Sequence, residues 1–300
     1  MRREGHLRVS AHLSAVVLLL VATAISWSQQ PSLTWLGTLP GFVGSEAWGV
    51  SADGSVVVGR ASNAERQSRA FRWTAVGGMQ NLGTLPGFAG SGALGISADG
   101  SVVVGRATYA YWLGTRAFRW TAAGGMQDLG TLPGGGESEA WGVSADGRVV
   151  VGRASNAERQ SRAFRWTAAG GMEDLGTLGG VESWAFGISA DGRVVVGKAQ
   201  NAAWQYRAFR WTEAGGMEDL NITYASLLTD GSYLWRATAI SPDGRYIVGL
   251  GSRGAFLLDT GFPLRGDVDR NGCVDDADLL RVLFAFGGRA TATKTSTGMV

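Results

Sequence analysis

Residues 47–60 read A-W-G-V-S-A-D-G-S-V-V-V-G-R, and most of the architecture can be inferred from this stretch. A short apolar segment precedes S-A-D-G, and three valines follow it. Asp-Gly is a hairpin turn signal, and β-branched residues favour strands. Three valines in a row, without alternation, indicate a strand that is buried on both faces. The stretch therefore predicts two antiparallel strands joined by a tight turn.

The same sequence motifs recur at a regular interval along the chain. The S-A-D-G turn begins at Ser51, Ser97, Ser144 and Ser189, and it returns as S-P-D-G at Ser241. The segment L-G-T-L begins at Leu36, Leu82, Leu129 and Leu175, and a decayed copy begins at Leu220, which gives spacings of 46, 47, 46 and 45. A period in the middle forties without helical periodicity is typical of propeller blades.

Each unit divides into four predicted strands. In the first unit we expect them at 47–50, 56–58, 70–73 and 79–85, with a loop of about ten residues between the second and the third. The fifth unit supplies strands near 237–240, 246–248 and 255–258, but no fourth strand follows. An unpaired segment, Leu33–Leu39, stands at the other end of the repeats.

Pairing that segment with the fifth unit would close the ring and remove the exposed sheet edges. The sequence thus predicts an all-β fold: a five-bladed β-propeller closed by an N-terminal strand, within residues 29–261. Phe71 and Trp73 lie two apart and are expected to fill the space between blades. A six-bladed ring and an open array are the alternatives.

The composition excludes several function classes. The chain has 47 glycines, 12 tryptophans and 6 prolines, as expected for short strands and tight turns. Both histidines, His6 and His12, lie near the N-terminus, so the remainder offers no imidazole for a Ser-His-Asp mechanism or for zinc. The one cysteine, Cys273, allows no internal disulfide. The nearly balanced 27 Lys+Arg and 25 Asp+Glu argue against nucleic acid as a partner.

The N-terminus has the features of an export signal. Arg2, Arg3 and Arg8 form a positive region, and an apolar run covers 13–27. Small residues at positions 26 and 28 fit cleavage after Ser28. The sequence predicts a signal peptide at 1–28, a secreted or cell-surface protein, and no membrane span after cleavage. An uncleaved anchor is the alternative, although the run is shorter than the roughly 20 residues that span a bilayer.

The repeat resembles the bacterial "probable extracellular repeat" of the HAF family. Its H-A-F core and following R-W correspond here to R-A-F-R-W, at 69–73, 116–120, 162–166 and 207–211. The neighbouring segments G-V-S-A-D-G-S-V-V-V-G and G-M-Q-D-L-G-T-L-P-G are also similar to that family. The resemblance covers roughly residues 33 to 261 and implies export, without an assigned chemistry.

Two sets of recurring or variable residues are candidates for function. The turn aspartates are expected to shape their hairpins, since Asp before Gly caps backbone N–H groups; they are Asp53, Asp99, Asp146, Asp191 and Asp243. Aromatic residues occupy the variable loops, where they suit stacking on sugar rings or contact with a protein. They are Tyr109, Tyr111, Trp112, Trp204 and Tyr206. The alternative is that they cover blade edges.

A calcium-loop pattern follows the repeats. Residues 267–278 read D-V-D-R-N-G-C-V-D-D-A-D, with oxygen-bearing side chains at loop positions 1, 3, 5, 9 and 12. The predicted ligands are Asp267, Asp269, Asn271, the backbone carbonyl of Cys273, Asp275 and Asp278. Gly272 stands at position 6, where the loop turns sharply, and a Ca²⁺ ion takes six to eight oxygens. A turn and amphipathic helix without a metal is the alternative.

This segment resembles half of a type I dockerin. In that family two loop–helix units pack together and bind cohesin modules. Here one unit covers 262–287, and a Thr-rich polar tail, predicted to be disordered, covers 288–300. The resemblance implies calcium binding, whereas the missing second unit speaks against cohesin as a partner.

The first functional hypothesis is a non-enzymatic extracellular binding or display module with a glycan or protein ligand. It rests on the missing histidine and on duplicated loops: 45–75 and 138–168 differ only at Ser55 against Arg148. The second is a polysaccharide-degrading enzyme or its accessory subunit. Nothing in the spacing of the acids singles out the carboxylate pair that glycoside hydrolysis needs.

Overall fold

The valine-rich strands and the R-A-F-R-W strands form antiparallel sheets. A computed structural model describes residues 31–110 and 114–261, and in them five sheets follow one another along the chain. The first four sheets have four strands each and the fifth has three, and every sheet is an antiparallel meander. The prediction of an all-β fold of four-stranded repeats is confirmed.

The strand bounds repeat from sheet to sheet. Sheet 1 contains β1 (Gly44–Val50), β2 (Val56–Ser62), β3 (Ser68–Thr74) and β4 (Gly78–Asn81). Sheet 2 contains β5 (Gly90–Ile96), β6 (Val102–Thr108), β7 (Thr115–Thr121) and β8 (Gly125–Asp128). Sheet 3 contains β9 (Ser138–Val143), β10 (Val149–Ser155), β11 (Ser161–Thr167) and β12 (Gly171–Asp174).

The last two sheets are separated by a short helix. Sheet 4 contains β13 (Gly179–Ile188), β14 (Val194–Asn201), β15 (Tyr206–Thr212) and β16 (Gly216–Asp219). The helix α1 (Leu220–Thr223) and a 3-10 turn (Ala225–Leu227) follow it. Sheet 5 contains β17 (Leu234–Ile240), β18 (Tyr246–Gly251) and β19 (Gly254–Asp259).

The hydrophobic core lies between successive sheets. Val58 of sheet 1 is fully buried in one cluster with Val103 and Phe118 of sheet 2. The cluster between sheets 3 and 4 has the same composition, with Val151 facing Val195 and Phe209. Neighbouring valines of one strand therefore point into different clusters, which explains why the valine runs do not alternate with polar residues. Phe118 and Phe209 fill the space between sheets, as expected for this position of the repeat. Phe71 and Trp73 pack instead with Leu39 in a cluster whose described residues all belong to sheet 1 and the segment before it, so the expectation is met by the counterparts and not by the first unit.

Hydrogen bonds also join the sheets. The amide of Ala52 donates to the carbonyl oxygen of Ala98 at 2.9 Å, and equivalent bonds link the later S-A-D-G turns. Ser91 bridges sheets 1 and 2, because its hydroxyl accepts from the amide of Ala70 and donates to the carbonyl of Gly83. Ser91 is 1% exposed, so these bonds satisfy a buried hydroxyl.

The turn aspartates have the predicted role. The Oδ1 of Asp53 accepts from the Ser51 hydroxyl at 2.6 Å and from the Ser55 amide at 3.0 Å. Gly54 has φ +73°, which glycine adopts without a Cβ clash. Hydrogen bonds from the Ser51 hydroxyl and then from the Ser55 amide and hydroxyl lower the pKa of Asp53 to about 2. The same bonds recur at the other four turns, so the prediction that these carboxylates shape hairpins is confirmed.

The fourth strand of each unit is shorter than predicted. It ends at Asn81 in sheet 1, because Gly83 has φ +77° and donates its amide to the Asn81 side chain. A residue in the left-handed region interrupts an extended strand. The loop between β2 and β3 spans only five residues, 63–67, because β2 continues to Ser62 and β3 begins at Ser68. The expected loop of about ten residues was wrong.

The predicted closing strand is not formed. Residues 33–39 contain no strand, and Gly37 has φ +72°, like the glycines that end the other L-G-T-L strands. Sheet 5 has three strands in the part of the chain that the structure describes, with β19 at its edge. The prediction that 33–39 pairs with the fifth unit was wrong. In sheets 1 to 3 a fourth strand forms and ends two residues before the equivalent glycine, whereas no strand precedes Gly37 among the described residues.

The two end sheets present more apolar surface than the sheets between them. Val248 of sheet 5 is 39% exposed, whereas the valine at the same repeat position is 0% exposed in each of the other four sheets. Leu257 is 69% exposed on the same sheet, and Val50 of sheet 1 is 60% exposed. In the other units, a neighbouring sheet covers the face that is exposed here.

Several predicted segments lie outside the described residues. They are the signal peptide at 1–28, Tyr111 and Trp112, the calcium loop with its six ligands, and the tail at 288–300. Within 31–110 and 114–261, no helix has the length and apolar character needed to cross a membrane.

Candidate functional site

Two positions of the repeat face each other where adjacent sheets meet. The first, which we name the basic position, follows the glycine of the second strand: Arg60, Arg106, Arg153, Lys198 and, in sheet 5, Leu250. The second, the facing position, precedes the alanine of the first strand: Glu46, Gly92, Glu139, Trp184 and Arg236. Cross-strand pairing places the two beside each other within one sheet, as for Arg153 and Glu139.

Between sheets 2 and 3 these positions form a buried ion-pair network. Glu139, only 5% exposed, accepts from Arg153 of its own sheet at 2.8 Å and from Arg106 of the preceding sheet at 3.0 Å. Burial alone would raise the pKa of Glu139, but the two guanidinium groups outweigh it and the pKa lies below its ordinary value. The carboxylate is therefore charged and satisfied.

Between sheets 4 and 5 the same positions carry two cations. Trp184 replaces the glutamate, and the Nζ atom of Lys198 lies 3.8 Å from a Trp184 ring centroid. Arg236 occupies the facing position of sheet 5. Burial lowers the pKa of Lys198, and the positive charge of Arg236 lowers it further, against a smaller opposite effect of Glu182. In the described part of the chain, neither cation forms a salt bridge.

Aromatic rings surround these two cations. The Cζ atom of Arg236 lies 5.0 Å from the Phe186 centroid and 5.7 Å from that of Trp235. Phe186 stacks on Trp141 at 5.1 Å, which extends the aromatic surface to sheet 3. Within the described residues the Nε atom of Arg236 is buried without a hydrogen-bond partner. Cation–π contacts compensate part of the cost of removing such charges from water.

A groove of about 520 Å³ opens beside these cations, between sheets 4 and 5. It is lined by Gln205, Tyr206, Arg207, Tyr233 and Trp235, and we name it the sheet 4–5 groove. The Nζ atom of Lys198 lies 4.2 Å from the Tyr206 centroid. The hydroxyl of Tyr206 donates to Glu182, and burial followed by this carboxylate raises the pKa of Tyr206 to about 12.

Arg207 differs in its partners from the equivalent arginines of sheets 2 and 3. In sheets 2 and 3 the equivalent arginines pair with an aspartate at the end of the fourth strand, as Arg162 does with Asp174 at 3.0 Å. In sheet 4 that aspartate is Asp219, which caps α1 by accepting from the Asn221 amide at 2.8 Å. Arg207 instead donates to Gln205 Oε1 at 2.6 Å and stacks over Tyr233 at 5.1 Å.

The aromatic residues predicted to lie in the variable loops occupy different places in the structure. Tyr206 lies in β15, not in a loop, and it lines the sheet 4–5 groove. Trp204 occupies the adjacent hairpin tip with φ +62° and is 66% exposed. Tyr109 stacks on Phe88 at 4.0 Å and lines a different groove, of about 410 Å³, between sheets 1 and 2.

Sequence reasoning missed five residues of this region: Lys198, Arg207, Tyr233, Trp235 and Arg236. A signal for two of them was present, because the fourth and fifth units depart from the other units at the basic and facing positions. Within the described residues there is no group of three or more His, Cys, Asp or Glu that could hold a metal ion. The predicted calcium ligands lie outside this part of the chain.

Solved structures resemble this fold at low sequence identity. A putative TolB from Agrobacterium tumefaciens matches with a TM-score of 0.51 and 17% identity, over 72% of this chain and 77% of that chain. TolB from Acinetobacter baumannii matches with a TM-score of 0.50 and 13% identity, over 72% of this chain and 52% of that chain. The β-propeller domain of the Trilobed protease from Pyrococcus furiosus matches with a TM-score of 0.48 and 11% identity, over 73% and 67%.

These similarities concern the fold alone, and the chain spans about half the length of the A. baumannii protein. No protein-family model matches the sequence, and no curated protein matches it. The chain is thus an all-β protein of four-stranded antiparallel sheets with a propeller-like architecture.

Proposed function

We propose that this chain is a non-enzymatic extracellular binding module and that its sheet 4–5 groove binds a glycan. The observation that carries the proposal is a cavity of about 520 Å³ with three aromatic walls, Tyr206, Tyr233 and Trp235. Ligand sites commonly combine such apolar walls with a few polar groups that fix orientation. Here those groups are the guanidinium of Arg207 and the amide of Gln205, which suit sugar hydroxyls.

The lining favours binding over hydrolysis. Glycoside hydrolysis usually employs two carboxylates on either side of the scissile bond. The five lining residues supply stacking surface and hydrogen-bond donors, and none of them is a carboxylate. Glu182 is not one of the lining residues, and it accepts a hydrogen bond from the Tyr206 hydroxyl. A polysaccharide-degrading enzyme is the alternative, and release of reducing ends from a bound glycan would identify it.

The remaining parts of the proposal concern the whole chain. We propose that residues 1–28 direct export, that the five sheets are the blades of one propeller of the HAF-repeat type, and that residues 267–278 bind calcium. Titration calorimetry on the mature chain tests the last point. Calcium-dependent heat that Asp267→Ala abolishes is expected, and no heat at millimolar calcium would contradict the site.

A glycan array with the mature protein tests the main proposal. We expect binding to a defined set of saccharides and at least about tenfold weaker binding for Tyr233→Ala, because an aromatic anchor is lost. Tyr246→Ala is the matched control: Arg245 stacks over Tyr246 at 5.0 Å much as Arg207 does over Tyr233, but Tyr246 is outside the groove. Loss of binding by both variants, or release of reducing ends from a bound glycan, would contradict the proposal.

A further inference from the structure

Three cations surround the sheet 4–5 groove, and none has a carboxylate partner among the described residues. Arg207 lines the groove directly, while Lys198 and Arg236 stand against its aromatic walls Tyr206 and Trp235. The nearby acid, Glu182, is held by the Tyr206 hydroxyl. The groove therefore combines stacking surface with an excess of positive charge.

In sheets 2 and 3 the repeat neutralises both positions, whereas in sheet 1 it neutralises only the basic position, since Arg69 donates to backbone carbonyls. At the basic position, Arg60 pairs with Glu46 at 3.1 Å, and Arg106 and Arg153 share Glu139. At the position of Arg207, the arginines of sheets 2 and 3 pair with Asp128 and Asp174. Among the described sheets, the cations of both positions lack a carboxylate partner together only at the junction that carries the groove, where Trp184 replaces the glutamate and Asp219 caps α1.

Unpaired, partly buried cations are costly unless an anion joins them. Facing cations also repel each other, and the lowered pKa of Lys198 reflects both effects. In the described residues Arg207 uses its N–H groups on Gln205 Oε1 and the Tyr206 carbonyl, out of the five donors of a guanidinium. Donors thus remain for a planar carboxylate on a ligand.

We propose that the sheet 4–5 groove selects acidic saccharides. A uronic acid residue would stack on Tyr233 and Trp235 and place its carboxylate on Arg207, within the positive field of Lys198 and Arg236. This inference rests on the proposed glycan-binding function and narrows it to one class of sugar. A sugar carboxylate would supply the kind of counter-charge that Glu139 gives its two arginines in the preceding part of the repeat.

The test compares uronic acid oligosaccharides with their carboxyl-reduced counterparts, which keep the ring and lose the charge. The probes are oligomers of galacturonate, glucuronate, mannuronate and guluronate, titrated into the mature protein. At least one acid should bind about tenfold or more tightly than its reduced form, with a difference that shrinks as salt rises. Equal binding of both forms overturns acid selectivity and leaves glycan binding intact. No binding by any acidic or neutral saccharide overturns both.

Arg236→Glu tests the proposal with two measurements, the preference for acidic saccharides and the unfolding temperature, and a variant that merely unfolds would not keep the second. This change places a carboxylate at the facing position, as in sheet 3, so Lys198 gains the partner that Arg106 finds in Glu139. The acid preference should disappear while the unfolding temperature holds or rises. Arg60→Gln, a change at the basic position of sheet 1, should leave binding unaltered.

Two further arms complete the experiment. Arg236→Gln removes the charge without adding a carboxylate and should also weaken uronate binding about tenfold if Arg236→Glu does not fold. Dextran sulfate distinguishes a general polyanion surface from a carboxylate site. Binding of dextran sulfate as tight as that of the best uronate, or unchanged uronate binding by a folded Arg236 variant, overturns the proposal.

Discussion

The charge of the buried Glu139 side chain is stabilised in part by an arginine of the preceding sheet. Its carboxylate is 5% exposed and accepts from Arg106 and Arg153, so Glu139→Gln should lower the free energy of unfolding by about 2 kcal/mol at pH 7. The reason is that two guanidinium groups lose their shared counter-charge. Chemical denaturation of the two proteins measures the difference.

The control comes from the nearly identical first unit. Glu46 has the same repeat position, but its side chain is 56% exposed and pairs only with Arg60. Glu46→Gln should therefore change the free energy of unfolding by less than about 0.5 kcal/mol. Equal losses for the two variants would contradict the network.

The pH dependence has a definite sign. The pKa of Glu139 is lower in the folded protein than its ordinary value of 4.5. Its contribution to stability is therefore complete above that ordinary value and is lost as the pH falls through the folded pKa. The stability difference between the wild-type protein and Glu139→Gln should accordingly shrink below about pH 4. A difference that grows under acid conditions would mean that Glu139 is not held as a carboxylate.

At the scale of the element, the glycine of each second strand fixes how closely two strands approach. The first strand of every sheet carries an irregularity in its register, between Ala93 and Gly95 in sheet 2. A Cβ added at Gly105 would lie 2.1 Å from the carbonyl oxygen of Gly92. Gly105→Ala should therefore lower the free energy of unfolding by about 3 kcal/mol, measured by denaturation.

Gly136→Ala is the control for this substitution. Nothing lies within 4 Å of a Cβ at Gly136, so this change should be neutral or should stabilise by up to about 1 kcal/mol. If Gly105→Ala were as well tolerated as Gly136→Ala, β5 and β6 would not approach each other as closely as the structure indicates.

The strands and turns also show which part of the fold could be predicted from the sequence. Turn chemistry and β-branched runs predicted the hairpins and their order, because both act over a few residues. The end of the fourth strand was not predicted, since it depends on whether Gly83 takes a positive φ. Gly37 has nearly the same φ as its counterparts, yet no strand precedes it, because strand pairing depends on a partner sheet that hydrophobic patterning does not reveal.

At the scale of the whole molecule, the candidate site arises from residues that are distant in sequence. Lys198 and Arg236 belong to different units, and only the stacking of sheets 4 and 5 brings their charges together. The loop aromatics were a partial guide, because Tyr206 lines the groove while Tyr109 belongs to another. Tyr233 and Trp235 follow α1, in a part of the fifth unit that no longer matches the repeat. Comparison with the other units therefore could not predict their role in the groove.

The sheets at the two ends of the stack allow a test of how the repeats are arranged. Val196 and Val248 have the same repeat position, but Val196 is 0% exposed under sheet 5 and Val248 is 39% exposed. Val196→Ala should lower the free energy of unfolding by about 2 kcal/mol, because two buried methyl groups are lost. With sheet 5 uncovered, as in the structure, Val248→Ala should cost less than about 1 kcal/mol in the same denaturation experiment, because its side chain remains partly in water. Equal losses would mean that the outer face of sheet 5 is covered in solution, as it would be by sheet 1 if the five sheets closed into a ring.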